Sequence, residues 1–268
     1  RNGLQIVRVI SHESAYISSG HHGRKIRILS VRLSGTSPSR VADRLHHRRP
    51  EGQSLGSGLE DRTAAHGVEL TERDEVHQQA VQYAHEKGLL VIDDSKRNDI
   101  GNTAKAYAYA HLCKDGPINA DFMTVSPFLG TDSIQPFLDT AAAEGKGVFV
   151  LVKTSNPSSV EISEAINSHG ETIRDWLASY VHAQGQRVVG ASGYSAIGAV
   201  VGATYPKEAQ QLRQLMPRQF FLVPGFGAQG GGAEDVIPCF NPDGLGAVIS
   251  SSRGILYHHL AVEGFEPT

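Results

Sequence analysis

Cysteine is nearly missing from this chain, and what little there is excludes a disulfide scaffold. Cys113 and Cys239 are the only two among 268 residues, and their wide separation fits no metal-ligand spacing. Free thiols in a reducing, cytoplasmic setting are the expectation. Long apolar runs are also wanting: no stretch reaches the ~18 residues that a membrane span requires. The opening residues, RNGLQIVRVISHES, hold too short an apolar run for a secretory signal. Positive charge is not in excess either, since the formal net charge is −3, so no basic footprint for nucleic acid is expected. The 13 histidines show no H-E-x-x-H or comparable pattern, and His258–His259 face different directions in an expected terminal helix, so no metal is expected.

What is present is unevenly spread. Residues 1–62 carry 10 of the 17 arginines and net +6, from 11 basic and 5 acidic residues, whereas the remainder carries 14 and 23, or −9. A strand-like alternation runs from Lys25 to Leu33, and a Ser/Gly/Pro/Arg-rich passage follows to about Gly58. Such composition offers little to bury. It reads as a poorly ordered or foreign segment, with a basic arm for an anionic partner as the alternative.

From Glu69 onward the pattern is regular. A helix over Glu75–Lys87 leads to strand Leu89–Ile92, helix Thr103–His111, strand Asp121–Val125 and a helix from Asp132 to Glu144. Strand Gly147–Val152 follows, then one long helix through Glu161–Ala183, strand Ile197–Val201 and helix Pro206–Met216. Strands Phe220–Val223 and Gly246–Ile249 and a last helix over Ile255–Val262 complete the series. The strands are continuously apolar, as in a parallel sheet buried on both faces. About six strand–helix units predict an α/β chain, a single (β/α)8 TIM barrel domain over 1–268, if residues 1–62 supply two more units. An open doubly wound sheet is the competing topology.

Chemistry concentrates after strand Leu89–Ile92, where Asp94, Lys96 and Asp99 crowd the strand's C-terminal end, the end at which parallel α/β proteins bind ligands. A lysine between carboxylates stays protonated and can donate a proton to carbon or stabilise developing negative charge. A solvated turn with an incidental ion pair is the plainer reading. Gly225–Gly232 reads as a loop whose backbone N–H groups can approach a phosphate, Gln229 adds an amide, and Arg253 can grip an anion with its planar fork. Ser155 and Asn156 could hydrogen-bond a polar ring or simply cap a helix. Trp176 reads as packing.

The run Asp94-Ser-Lys96-Arg-Asn-Asp99-Ile-Gly-Asn-Thr103 resembles the active-site signature of the orotidine 5′-phosphate decarboxylases, in their longer-chain bacterial type. TVSPFLG at 124–130, LVKTSNP at 151–157, GAVVGATYP at 198–206, LVPGFGAQGG at 222–231 and SSSRGILY at 250–257 agree in order and spacing. The likeness covers roughly residues 69–262. It implies a barrel working as a homodimer without metal or organic cofactor, on orotidine 5′-monophosphate, yielding UMP and CO2 in the last step of pyrimidine-nucleotide synthesis. Asp94 would lie against the substrate carboxylate. Lys96 would stabilise and protonate the C6 carbanion, and Asp99 and Thr103 would reach the neighbouring subunit's site. Ser155 and Gln229 would contact the pyrimidine, Gln229 and the backbone at Gly230 the phosphate region, and Arg253 the phosphate. Two departures stand out. The family places an aspartate after its first strand and a lysine after its second, and neither has a clear counterpart: before Lys96 the only lysines are Lys25 and Lys87. The same resemblance leaves open a non-catalytic phosphate-ligand binder or a metal-dependent sugar-phosphate lyase.

Overall fold

The computed structural model describes residues 5–10, 27–32, 72–227 and 229–251. Eight parallel strands form one sheet: β1 (Gln5–Ile10), β2 (Arg27–Arg32), β3 (Leu90–Arg97), β4 (Phe122–Val125), β5 (Gly147–Lys153), β6 (Ser195–Val201), β7 (Gln219–Val223) and β8 (Ala247–Ile249). The helices between them are α1 (Glu72–Glu86), α2 (Gly101–Leu112), α3 (Thr131–Glu144), the single turn α4 (Val160–Ser163), α5 (Ile173–Gly185), α6 (Pro206–Leu215) and the single turn α7 (Ala233–Val236).

The two faces of the sheet decide between barrel and open sheet. Alternate residues of β4 to β8, among them Val125, Val150, Ala199, Phe221 and Ala247, join helical residues such as Leu112, Phe137, Val181 and Leu212 in one outer core. The other face carries Ile92, Phe149, Val200, Leu222 and Val248, each at most 2% exposed, and among the described residues its cluster contains strand residues only. A doubly wound sheet needs helices on both faces. A face that is buried without them is buried by the sheet curling on itself, and the fold is the (β/α)8 barrel with helices outside.

From β3 to β8 the strands neighbour one another in chain order. The first two do not: the order is β2-β1-β3, with Ile6 opposite Leu90 and Val9 opposite Asp93, so β1 lies beside β3 and β2 beyond it. The N-terminal segment therefore does supply two strands, Gln5–Ile10 being one that composition concealed, but in the reverse of the usual sequential arrangement. The final helix expected over Ile255–Val262 lies outside the described residues.

One expected helix is two. The stretch 161–183 is interrupted where the Asn167 side chain accepts from the N–H groups of His169 and Glu171, folding the chain back so that Ile166 bridges Thr172 antiparallel. Thr172 then caps α5 by accepting from the Asp175 N–H at 3.1 Å.

Candidate active site

Strand β3 continues five residues beyond its expected end, through Asp93, Asp94, Ser95, Lys96 and Arg97. Polar residues belong there because the strand end leaves the core for the barrel mouth. The pairing with β4 is irregular: Asp93 is opposite Met123 and Arg97 opposite Val125, so four steps along β3 face two along β4. Asp94, Ser95 and Lys96 thus ride on a two-residue bulge, a device that re-aims side chains at the rim of a barrel. Lys96 itself has φ of 50°, a left-handed conformation that costs a non-glycine residue on the order of 1 kcal/mol or more.

Thr124 of β4 holds this conformation in place. Its buried hydroxyl accepts from the Lys96 N–H at 2.8 Å and donates to Asp94 Oδ1 at 3.0 Å. Lys96 Nζ donates to the other carboxylate oxygen, Oδ2, at 2.6 Å, with the Lys96 side chain 46% exposed and that of Asp94 only 2%. One hydroxyl therefore sets both the backbone that aims the lysine and the carboxylate that receives it. The sequence suggests a lysine held between two carboxylates; within this one chain only one of them is beside it. Among the described residues it pairs with Asp94 alone, while Asp99 turns to its own chain and accepts from the Ile100 N–H at 2.8 Å. Thr103 is exposed on the first turn of α2.

A second group of polar residues forms at the ends of β5 and β7. Ser155 Oγ donates to Gln229 Oε1 at 2.6 Å, across 74 residues of chain, so Ser155 is not acting as a helix cap. The contact depends on two glycines. A Cβ on Gly202 would come 2.7 Å from Ser155 Cα, and one on Gly225, whose φ is +94°, would come 2.9 Å from Ser155 Cβ and 3.1 Å from Gln229 Oε1. Gly230 sits in the tight turn that follows, its N–H donating to Gly227 O at 2.8 Å. Arg253 lies outside the described residues.

The Ser155 loop is braced from beneath. Lys153, 1% exposed, donates to Ser163 Oγ at 2.7 Å and Glu164 Oε1 at 3.0 Å, and lies 4.1 Å from the centre of the Tyr205 ring. The Tyr205 hydroxyl in turn donates to the carbonyls of Asn156 and Pro157. Burial works to raise the Glu164 pKa, but the Lys153 hydrogen bond and the Arg174 charge outweigh it and hold the carboxyl below its ordinary value. Behind the bulge, Asp93 is fully buried and hydrogen-bonded to His111 Nδ1, with His77 Nε2 3.7 Å away. Burial again works to raise its pKa, and His111, His77 and Arg97 together bring it below the ordinary aspartate value.

Thr124, Lys153, Asp93 and His111 are the site residues that reading the sequence passes over. Thr124 is hidden in an apolar strand as a β-branched residue. Asp93 is masked by its neighbour Asp94, although strand alternation alone sends the two to opposite faces. Among the described residues no group of three or more His, Cys, Asp and Glu side chains is placed to hold a metal ion.

Comparison with known proteins identifies relatives. The profile of the orotidine 5′-phosphate decarboxylase / HUMPS family matches residues 65–263. An orotidine 5′-phosphate decarboxylase of Rhodopirellula baltica is 45% identical over 185 residues, covering 68% of this chain and 61% of that protein. One from Clostridium tetani is 44% identical over 180 residues, covering 67% and 62%. The solved OMP decarboxylase of Leishmania donovani superposes with a TM-score of 0.57 at 32% identity, over 69% of this chain and 67% of that one. The chain spans a little over three-fifths of the length of the two curated relatives. With the profile running from before α1 to beyond β8, and the charged bulge of β3 and the Ser155–Gln229 contact inside it, this chain belongs to the orotidine 5′-phosphate decarboxylase / HUMPS family.

Proposed function

We propose that this protein decarboxylates orotidine 5′-monophosphate to UMP and CO2, in the cytoplasm, as a homodimer and without metal or organic cofactor. The observation that carries the reading is the Lys96 ammonium fixed 2.6 Å from a nearly buried Asp94 carboxylate at the barrel mouth. The C6–carboxylate bond breaks with its electron pair remaining on C6, where no ring carbonyl is well placed to absorb it. A preorganised positive charge is what that transition state lacks in water, and Lys96 supplies it. Lys96 then passes a proton from Nζ to C6 and, being half exposed, recovers one from solvent. Asp94 holds the ammonium and crowds the substrate carboxylate that is to leave.

Ser155 and Gln229 would take the pyrimidine, and Gln229, Gly230 and Arg253 the phosphate, whose remote binding energy positions the ring. Asp99, whose carboxylate accepts from the Ile100 N–H in its own chain, and the exposed Thr103 would enter the second subunit's site. Beside these, the resemblance implies an aspartate after the first strand and a lysine after the second. Neither QIVRVI of β1 nor RILSVR of β2 contains Asp or Lys, residues 11–26 contain no aspartate, and residues 33–71 contain no lysine. Asp94 and Lys96 therefore carry the charge stabilisation with whatever Asp99 adds across the dimer.

The test is to incubate the protein with orotidine 5′-monophosphate and EDTA, following the ultraviolet change, beside Lys96→Ala. The wild type should form UMP, and the variant should be slower on the order of 10³-fold, as for loss of a group that meets charge only in the transition state. Equal rates would remove Lys96 from the reaction, and UMP binding without turnover by the wild type would overturn the enzymatic reading.

A further inference from the structure

A bulge two residues longer than the strand opposite it has no ladder of its own to fix its shape, so something else must hold it. Its ends are Asp93, the last residue in register before it, and Arg97, the first after it. Both side chains leave the barrel interior for the helical layer, and both end on one imidazole. His111 Nδ1 meets Asp93 Oδ2, and His111 Nε2 lies 3.4 Å from Arg97 Nε.

The Arg97 Nε–H can only donate, so Nε2 is the bare nitrogen and Nδ1–H donates to Asp93. The imidazole thus spans the gap between the two ends with one donor and one acceptor. Its platform is firm: His111 is itself buried on α2 between Ala110 and Leu112, both in the core. One turn earlier on the same helix, the Tyr107 ring lies 5.5 Å beneath the Arg97 guanidinium, so two residues at i and i+4 engage the same arginine. On the far side of Asp93, His77 of α1 approaches Oδ1 at 3.7 Å.

We propose that His111 is a positioning residue for the decarboxylation: it ties the two ends of the β3 bulge together from behind and so fixes where Lys96 presents its ammonium. The proposal rests on the catalytic reading of Lys96 given above. A buried polar cluster is not needed for stability, since apolar residues of the same size commonly serve as well. This one spans both ends of the irregular segment on which Asp94 and Lys96 ride.

Two variants and two readouts test it. His111→Leu removes both bonds, whereas His111→Gln has an amide oxygen and nitrogen spaced much like the two ring nitrogens and can restore both. His111→Leu should lower kcat about 10- to 100-fold, the scale of loss for a reacting group displaced by an ångström or less, with KM changed little. The amides that report on the bulge are those of Lys96, bonded to Thr124 Oγ1, and Ser126, bonded to Arg97 O at 2.8 Å. Both should exchange roughly tenfold faster in His111→Leu, and His111→Gln should recover rate and protection together. A variant that only melts earlier, keeping kcat and the protection of these two amides, overturns the proposal. Should the wild type leave orotidine 5′-monophosphate unchanged, the catalytic reading fails separately and amide exchange alone decides this one, unchanged exchange overturning it. If His111→Leu does not fold, Arg97→Met cuts one arm only and must speed exchange at the same two amides, and no change there overturns it as well.

Discussion

Thr124→Val removes one oxygen and almost nothing else, and its cost can be worked out bond by bond. The hydroxyl is fully buried, accepts from the Lys96 N–H at 2.8 Å and donates to Asp94 Oδ1 at 3.0 Å. Losing a hydrogen bond to a carboxylate costs about 1.5–3 kcal/mol, and stranding a buried N–H about 1–3 kcal/mol. The two losses overlap, because Lys96 is half exposed and the bulge can relax until water reaches the amide. A net destabilisation of about 2–4 kcal/mol follows. Urea unfolding should show a lower midpoint with the slope unchanged. The melting temperature should fall by roughly 4–16 °C, at a few degrees per kcal/mol for a domain of this size. Thr124→Ser is the control: it keeps the oxygen, loses one methyl and costs about 1 kcal/mol. The kcat for orotidine 5′-monophosphate should fall with the valine and largely survive with the serine, since only the valine frees the Lys96 backbone from its φ of 50°. If the valine variant were within about 0.5 kcal/mol of the serine variant, the hydroxyl would not be what holds Asp94 and Lys96, and the account of the site would be wrong.

Acid should weaken the fold through Asp93. Its pKa is lowered in the folded protein from an ordinary 3.8, and those of Glu164 and Asp175 from 4.5 and 3.8, so the unfolded chain takes up protons first as pH falls. The stability these carboxylates give is therefore complete near neutrality, begins to fall at about pH 5 and is gone below their folded pKa values. Glu164 and Asp175 are more than a third exposed and screened by water, so Asp93 should dominate, and Asp93→Asn should flatten the dependence of the urea midpoint between pH 5 and 3. An unaltered slope in that variant would exclude Asp93 as the source. At the opposite end of the barrel, Arg213 donates to the carbonyls of Cys239, Met216, Gln219 and Gly246, and burial pulls its pKa down to about 10. Arg213→Met removes a buried cation and its bonds to four carbonyls, of which those of Met216 and Gly246 keep the N–H groups of Gln219 and Phe221, and should cost about 3–5 kcal/mol, while the kcat of the folded fraction is unchanged because the contacts lie at the N-terminal ends of β7 and β8. A changed kcat would show that the two ends of the barrel are coupled.

The elements legible in the sequence are those whose local signal and tertiary role agree. Strands β4 to β8 were expected within two residues of where they lie, because continuous β-branched and aromatic runs have few other places to go in a chain of this composition. The β3 boundary differs for the same reason in reverse: Asp93 to Arg97 read as loop on polarity, yet Asp93 pairs with Val9 and Met123 and Arg97 with Val125, so the strand resumes beyond the bulge. The break between α4 and α5 is legible in the sequence, since Asn167 to Gly170 is turn chemistry and Thr172 with Asp175 has the spacing of a cap, although one continuous helix is the expectation over 161–183. The order β2-β1-β3 could not have been read at all, because which of two short arginine-bearing strands lies beside β3 is decided by non-local packing.

The site divides along the same line. Asp94, Lys96 and Ser155 were found because charge and polarity at strand ends announce themselves. Thr124 and His111 were not, because a threonine inside FMTV and a histidine inside AYAHL look like ordinary strand and helix content. Their importance lies only in what they touch: one hydroxyl and one imidazole, on opposite sides of the same bulge, converting an irregular strand end into a fixed one. A sequence that kept Asp94 and Lys96 but lost both would still carry the signature, yet its lysine would have to be ordered anew by each substrate molecule. The cost of that ordering would appear in kcat rather than in binding.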